Sequence, residues 1–523
     1  MGIYLNSDNT LFQQALNSRI YIDKSNLIAF TNSVLYTEEK AICVSRPRRF
    51  GKSMAANMLT AYYSRGCDSK EMFRNLKIAK SKDFEKNLNR YNVIHINMTE
   101  FLIETDSMEE MLQLLQKSIL FDLLDEFPDI RYFDATKLQR SLRDVYAAKK
   151  TPFIFIIDEW DCIFREHKND SAAQKKYLDF LRNLLKDQSY VALAYMTGIL
   201  PIKKYGEHSA LNMFHEYSMT NAEPIEEFTG FTEEEVQNLC KKYQMDFQKT
   251  KQWYDGYHLG KYSIYNPKSV VEAIGRKRFD NYWTQTETYE ALKVYIDMNF
   301  DGMKDKVTQM IAGERVPINP GKFQNDMTTF SSADDVLTLL VHLGYLTYDY
   351  DTKTVWIPNS EVQQEFINSI EDGGWEPVMD AIRKSDELLQ ATLELQSDKV
   401  AEMIEQAHQE NVSILKYHNE NSMTCVLSLA YYSAKKNYVM YRELAGGKGF
   451  ADLVFVPRKG CETPAFIAEL KWDNSAKTAI TQIHEKQYVN CLQDYTGEVI
   501  LVGVNYDKDT KKHTCLMKKI CKD

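Results

Sequence analysis

The chain has 523 residues, 44% hydrophobic and 26% charged, with 12 prolines and a formal net charge of −10. That composition excludes a low-complexity or disordered polymer, and the length exceeds what one core serves, at roughly 100 to 200 residues per domain. The acidic balance excludes a protein that is basic all over, so nucleic acid can be held only by a local basic surface.

The opening "MGIYLNSDNTLFQQALNSR" lacks the basic start, apolar run and small-residue cleavage site of a signal peptide. Gly2 is not followed by the Ser or Thr at position 6 that myristoylation requires, because Asn6 stands there. No apolar stretch is long enough to span a membrane, and the nine cysteines never form a Cys-x-x-Cys pair. These features predict a cytoplasmic protein without a membrane partner, in a reducing compartment.

Residues 41 to 45, "AICVS", form a short apolar strand leading into "VSRPRRFGKSM", and "KSMAANMLTAYYS" continues with helical spacing. Strand, loop and helix with Gly51, Lys52 and Ser53 at the helix start form the phosphate-binding context: backbone N–H groups wrap the phosphates, the lysine reaches the outer ones and the hydroxyl meets magnesium. Arg46 stands where the pattern has its first glycine, and a left-handed backbone there would be strained. Pro47 fixes φ, and Arg48 and Arg49 add charge near a polyanion. The whole loop is the candidate nucleotide cradle: Arg46, Pro47, Arg48, Arg49, Phe50, Gly51, Lys52, Ser53 and Met54.

Further strands are predicted at 91 to 101, 151 to 161 and 190 to 199, with helical segments between them. The third, "TPFIFIIDEWD", is an unbroken apolar run ending in acids, as expected of a central parallel strand covered on both faces. Asp158 at its end is placed to hold Mg2+ with Ser53. Glu159 is placed to polarise the attacking water, and Thr197 in "MTG" to sense the terminal phosphate.

The motifs "YIDKSNLI", "RPRRFGKS", "IIDEWD", "MTGILPI", "WYDGY" and "YNPKSV", in this order, resemble the AAA-ATPase-like proteins of gut and other anaerobic bacteria, related to archaeal-type signalling ATPases. The resemblance covers most of residues 5 to 370. It implies that an arginine at position 46 is normal for the family, while the loop and Asp158 themselves make ATP and Mg2+ the expected cofactors. Asp23 and the stretch from Trp253 to Tyr257 match family motifs as well.

From about residue 230 amphipathic helices take over. "DDVLTLLVHLGYLTYDYDTKTVWIPNSEVQQEF" reads as helix, glycine stop, strand, turn, strand, helix. A winged-helix-like unit fits that order, and so does a helical lid with one hairpin and no contact to nucleic acid. Residues 380 to 420 are helical and charged.

In "GFADLVFVPRKGCETPAFIAELKW", a turn centred on Gly460 and Cys461 sets Asp452 opposite Glu469. With period 2, Lys471 shares that face, while Leu453, Phe455 and Leu470 point the other way. Two carboxylates and a lysine on one face suit phosphodiester hydrolysis, in which carboxylates hold hard dications and lysine steadies charge. A bulge in the turn would break the pairing, and the cluster then reads as surface ion pairs. The pattern Asp…Glu-x-Lys resembles the PD-(D/E)xK nuclease superfamily. That resemblance implies Glu443 as an additional acid and metal ligand, and Gln482 as the polar residue of the following helix. Mg2+ or Mn2+ would then be held by Glu443, Asp452 and Glu469. Ala451 departs from the usual proline, and Phe450 stands where relatives often carry arginine.

The expected fold is α/β throughout. A P-loop NTPase parallel sheet (1–228) precedes a helical, winged-helix-like middle (229–375) and a C-terminal PD-(D/E)xK-like α/β domain (376–523). The expected function is an ATPase coupled to a metal-dependent DNA nuclease, with defence or mobile-element processing as roles by analogy. The alternative is a nucleotide-switched signalling or interaction protein whose nuclease-like domain binds without cutting. DNA is the expected partner, through a local basic surface; the basic concentrations are "RPRRFGK" near the start and "KKHTCLMKKICK" at the end, each of which reads equally as a solvated face or a phosphate site, and the sequence leaves a homo-oligomer open.

Overall fold

The computed structural model describes residues 2–202, 211–283, 289–297, 300–325, 327–328, 330–371, 375–411, 420–446, 448–458, 461–492 and 495–522. They form two compact units, one made of Met1–Thr288 with Pro317–Gln364 and the other of Tyr289–Val316 with Glu365–Asp523. These units cut across the three segments suggested by the sequence. The lid helices and the 347–356 hairpin join the first unit, while 289–316 joins the second.

The first unit is built on a parallel sheet of β1 (Ala41–Ser45), β2 (Asn92–Asn97), β3 (Phe153–Asp158), β4 (Val191–Gly198) and β5 (His215–Tyr217), in the order β2-β3-β4-β1-β5. Every residue of β1, β3 and β4 is buried, at odd and even positions alike, so both sheet faces are covered and the apolar runs are continuous. Helix α1 (Lys52–Tyr63) closes one face through Ala56, Leu59 and Tyr63, in one cluster with Ile42, Val44, Ile154 and Ile156. Strand β2 is shorter than its sequence suggests. Asn97 accepts a hydrogen bond from the Thr99 N–H at 3.1 Å and starts a short helix, Met98–Ile103, where the strand was expected to run on.

The lid follows with helices Glu233–Tyr243 and Phe247–Tyr254, a small sheet of Phe231–Thr232, Tyr262–Tyr265 and Tyr257–Leu259, and α2 (Pro267–Arg276). Thr232 and Glu235 cap the first helix reciprocally. Helix α3 (Ala333–Leu343) ends at Gly344, whose φ of 91° is the left-handed stop the sequence signals, and the antiparallel strands Thr347–Asp349 and Thr354–Trp356 follow.

In the second unit a five-stranded sheet runs in sequential order: β6 (Tyr438–Gly446), β7 (Gly449–Pro457), β8 (Ala465–Trp472), β9 (Gly497–Asp507) and β10 (Lys512–Lys522). Strands β8 and β9 are parallel and the other neighbours antiparallel. Helix α4 (Ser397–Asn411) precedes the sheet in the chain, and helix α5 (Ala476–Glu485) joins β8 to β9. Phe455 and Phe466 stack at 3.9 Å on one face, while Val454 and Ile467 pack with Ile480 and Ile483 of α5 on the other. The closing segment "KKHTCLMKKICK" forms edge strand β10, where exposed lysines discourage pairing with another chain.

Candidate functional site

The phosphate-loop geometry arises without a glycine at position 46, because the left-handed turns fall elsewhere: Arg49 has φ 68° and Gly51 has φ 87°. A Cβ at Gly51 would meet nothing within 4 Å, so backbone conformation alone selects glycine there. Gly51 caps α1 without a side-chain acceptor, which leaves the first helical N–H groups available to an anion.

Arg46 corrects an expectation. Its side chain is fully buried, with Nε donating to Thr229 Oγ1 at 2.9 Å and Nη1 to the carbonyls of Ser45 (2.9 Å) and Tyr217 (2.8 Å). Burial holds its pKa down, at about 10. The guanidinium knits the loop to β5 and to the entry of the lid, and it does not line the nucleotide cavity. Pro47 does not line it either: it packs where a Cβ on Gly344 would come within 2.8 Å.

The cavity holds about 670 Å³, and its lining includes Arg48, Arg49, Phe50, Gly51, Lys52, Ser53, Met54 and Glu159. Ile20, Ile22, Phe228, Phe231, Pro267 and Val271 give it an apolar wall, suited to a purine ring. Lys52 Nζ donates to the carbonyls of Arg46 and Pro47, each at 3.0 Å, and burial lowers its pKa against the upward pull of Glu159 and Asp158.

Asp158 is buried and lines a second cavity of about 630 Å³ together with Ser53, so the two oxygen donors meant for magnesium face one space. A hydroxyl and a carboxylate are the donors a hard dication takes. Thr197 differs from its expected role. It is fully buried, its hydroxyl donates to Asp158 Oδ1, and it lines neither cavity, so it positions the acid and does not face the phosphate. Glu159 has φ 53° and forms an ion pair with Arg165, and burial raises its pKa. Asp161 accepts from the N–H groups of Ile199 (3.0 Å) and Leu200 (2.8 Å), tying "DEWD" to the exit of β4.

Sequence reasoning missed Arg165, which lies six residues past Glu159 in a stretch with no pattern of its own. It also left the aromatic motifs unassigned. In "YNPKSV", Asn266 caps α2 through the Lys268 N–H (3.0 Å) and Pro267 joins the cavity wall. In "WYDGY", Tyr257 stands edge-on to Phe50 at 5.0 Å and donates to the Gly344 carbonyl at 3.0 Å, locking loop, lid and α3 together. Asp23 of "YIDKS" accepts from the Ser25 N–H at 2.9 Å and the Lys77 N–H at 2.6 Å, holding a turn.

In the second unit the expected register is found. Leu453 faces Ala468, Val454 faces Ile467 and Phe455 faces Phe466, the register that a turn at Gly460 and Cys461 requires, and the ladder ends one residue short of Asp452 and Glu469. Gly460, at the centre of the expected turn, lies outside the described residues. Asp452 Oδ2 accepts from the Leu470 N–H at 2.7 Å. Lys471 Nζ lies 3.0 Å from Glu469 Oε1 and 2.9 Å from the Leu470 carbonyl, and Gln482 Nε2 donates to the same Glu469 oxygen. Glu469 Oε2 is buried without a hydrogen-bond partner. Burial, and then the neighbouring Asp452 charge, push the Glu469 pKa up to about 7, with Lys471 opposing. An orphaned carboxylate oxygen beside a second carboxylate fits a divalent cation.

Glu443 does not join them. It is exposed, its φ is 46°, and the β6–β7 ladder skips it between Arg442–Leu453 and Leu444–Ala451. Among the described residues no group of three His, Cys, Asp or Glu side chains is disposed to hold a metal, so the expected set of Glu443, Asp452 and Glu469 reduces to the last two. Phe450 is 64% exposed at the same strand end.

An uncharacterized protein in the vnfD 5′ region of Azotobacter chroococcum mcd 1 is 23% identical over 256 residues. The match takes in 47% of this chain and 47% of that protein, so the chain spans about half the length of the curated relative it matches. Among solved structures, the Aeropyrum pernix ORC2 protein in ADPNP-ADP complexes aligns over 70% of this chain and 98% of its own, with 11% identity and a TM-score of 0.31. The Aeropyrum pernix ORC1 protein in complex with DNA aligns over 71% and 97%, with 10% identity and a TM-score of 0.25. No helix among the described residues is long and apolar enough to cross a membrane. Two family models match the chain, one described as predicted AAA-ATPase over residues 12–206 and the other as PD-(D/E)XK nuclease superfamily over residues 418–514. Residues 12–206 thus form an AAA-ATPase-like domain, and residues 418–514 a domain of the PD-(D/E)XK nuclease superfamily.

Proposed function

We propose that the chain hydrolyses ATP in its first unit and cuts DNA in its second, with nucleotide state governing cleavage. In the first unit the open N–H groups of α1 and the Lys52 ammonium hold the phosphates, and the apolar wall takes the base. Ser53 and Asp158 would hold Mg2+, which supplies charge neutralisation on the phosphate oxygens. Water attacks the γ-phosphorus, the bond to the β,γ-bridging oxygen breaks, and Glu159 takes the water proton, leaving ADP and inorganic phosphate. Arg165 must release Glu159 for that step, since a paired carboxylate is a weak base.

In the second unit Asp452 and Glu469 would hold Mg2+ or Mn2+, which lowers the pKa of a bound water. Lys471 steadies charge on the scissile phosphate, and Gln482 fixes the rotamer of Glu469. Defence against foreign DNA and mobile-element processing are roles that fit such a pairing.

The observation that carries this reading is the buried Glu469 carboxylate, whose Oε1 meets Lys471 and Gln482 and whose Oε2 has no hydrogen-bond partner, with the Asp452 charge beside it. Plasmid cleavage by the purified chain with Mg2+ or Mn2+, beside Asp452→Ala and Glu469→Gln, tests it. Cleavage by the wild type and at least about 100-fold loss in each variant is the expected result. One observation favours a second reading, a nucleotide-switched protein that binds nucleic acid without cutting it: Glu443 stands outside the acidic pair. That reading predicts no cleavage with any metal while ATP binding persists.

A further inference from the structure

Lys137, Arg140, Arg143, Arg182 and Lys186 come from two stretches of sequence with no basic run, and the fold gathers them. They line an open concavity of about 540 Å³ formed by helix Leu138–Lys149, the end of helix Ser171–Leu185 and the turn that follows. The turn leads into Val191, the first residue of β4, so the concavity sits toward the amino ends of the parallel strands. The phosphate loop follows the carboxyl end of β1 and Asp158 is the last residue of β3, so the two sites are separate.

The rest of the lining is Gln139, Asn183, Asp187 and Gln188: three amides, one acid and no apolar side chain. Protein interfaces carry an apolar core, whereas surfaces that grip a phosphate backbone consist of cations and neutral hydrogen-bonding groups. The cations are also arranged. Gln188 Oε1 accepts from Arg143 Nε at 3.2 Å and Nη2 at 3.0 Å, and Gln188 Nε2 donates to the Asn183 carbonyl at 3.1 Å, which holds the guanidinium fork in place.

A second feature narrows the partner. Phe133 is 79% exposed, with the Arg140 guanidinium carbon 4.6 Å from its ring centre. Its N–H donates to Asp144 Oδ2 at 2.9 Å, which anchors the backbone that carries the ring into solvent. An exposed aromatic beside a basic groove is the combination by which proteins hold single strands, with phosphates on the cations and a base on the ring.

We propose that this concavity binds a single nucleic-acid strand, with its phosphates among Arg140, Arg143, Arg182 and Lys186 and one base against Phe133. The proposal deepens the functional reading above and rests on it for the class of partner, but not for cleavage. The test is fluorescence anisotropy on the full chain, in metal-free buffer so that nothing is cut. Single-stranded DNA, single-stranded RNA and duplex DNA of equal length are compared across a salt series.

Single strands should bind more tightly than duplex, the tighter of the DNA and RNA arms identifying the strand. The triple variant R140Q/R143Q/R182Q should shallow the slope of log K against log salt by about 2, at about 0.7 per phosphate contact. Phe133→Ala should weaken binding about tenfold with the slope unchanged. Unaltered ATP binding certifies that both variants are folded. Wild-type affinity and slope in the triple variant, or duplex binding as tight as single-strand binding and indifferent to Phe133, would overturn the proposal. Strand binding in this buffer, together with no plasmid cleavage once Mg2+ or Mn2+ is supplied, supports this surface and counts against the nuclease reading alone.

Discussion

Arg46 occupies a position where the phosphate-loop pattern has glycine, and its three hydrogen bonds explain why the loop needs it. The guanidinium reaches Ser45, Tyr217 and Thr229, two of them about 170 residues or more away, so no local pattern could have disclosed the role. Gly51, Lys52 and Ser53 were legible because their function depends on spacing alone. Arg46→Ala should leave two carbonyls and a hydroxyl buried without donors and cost about 3 kcal/mol. Arg46→Lys should not rescue it, since an ammonium cannot reproduce the fork; urea denaturation of the three proteins measures both effects. Glu469 gives a second prediction at this scale. Its folded pKa, about 7, lies above the usual carboxylate value, so its contribution to stability is full below about pH 4.5 and is lost as pH rises through about 7. Without metal, Glu469→Gln should therefore be the more stable protein at pH 8, by on the order of 2 kcal/mol, and added Mn2+ should raise the melting temperature of the wild type alone.

At the scale of elements, continuous apolar runs and the helix after the loop gave away β1, β3, β4 and α1, because burial on both faces forces that pattern. Strand β2 was overread, since the cap formed by one side chain, Asn97, outweighs the β-propensity of the residues around it. The β7–β8 register follows from a turn at Gly460 and Cys461 and the shared face from period-2 alternation, whereas the place of Glu443 is not legible because one left-handed residue takes it out of the ladder. The pairing of α4 with β10 was invisible in sequence and carries its own prediction. His408 Nδ1 and His513 Nε2 lie 3.0 Å apart, both rings are buried, and burial lowers their pKa values to about 4 and about 3. Histidines depressed in this way support the fold above pH 6.5 and cease to as pH falls through the folded values. The second unit should therefore weaken between about pH 6.5 and pH 4, and His408→Asn should flatten that part of the profile in pH-dependent denaturation.

For the whole molecule, the chain returns on itself in a way that no linker composition announces. Residues 289–316 pack with the second unit, where Arg442 pairs with Glu314 at 2.8 Å and Lys435 donates to the Ile311 carbonyl at 3.1 Å. The segment 317–364 returns to the first. The chain therefore passes between the units more than once, giving the lid and α3 several covalent routes to the nuclease-like unit. Control of cleavage by nucleotide is read from the rate of DNA cleavage with Mg2+ or Mn2+, without nucleotide, with ADP and with ATP. Wild type, Glu159→Gln and Asp452→Ala would be compared. Cleavage should vanish in Asp452→Ala under every condition, and its rate in the wild type should differ between ATP and ADP. In Glu159→Gln the rate should stay at the ATP-bound level. A cleavage rate indifferent to nucleotide in all three conditions would contradict that control.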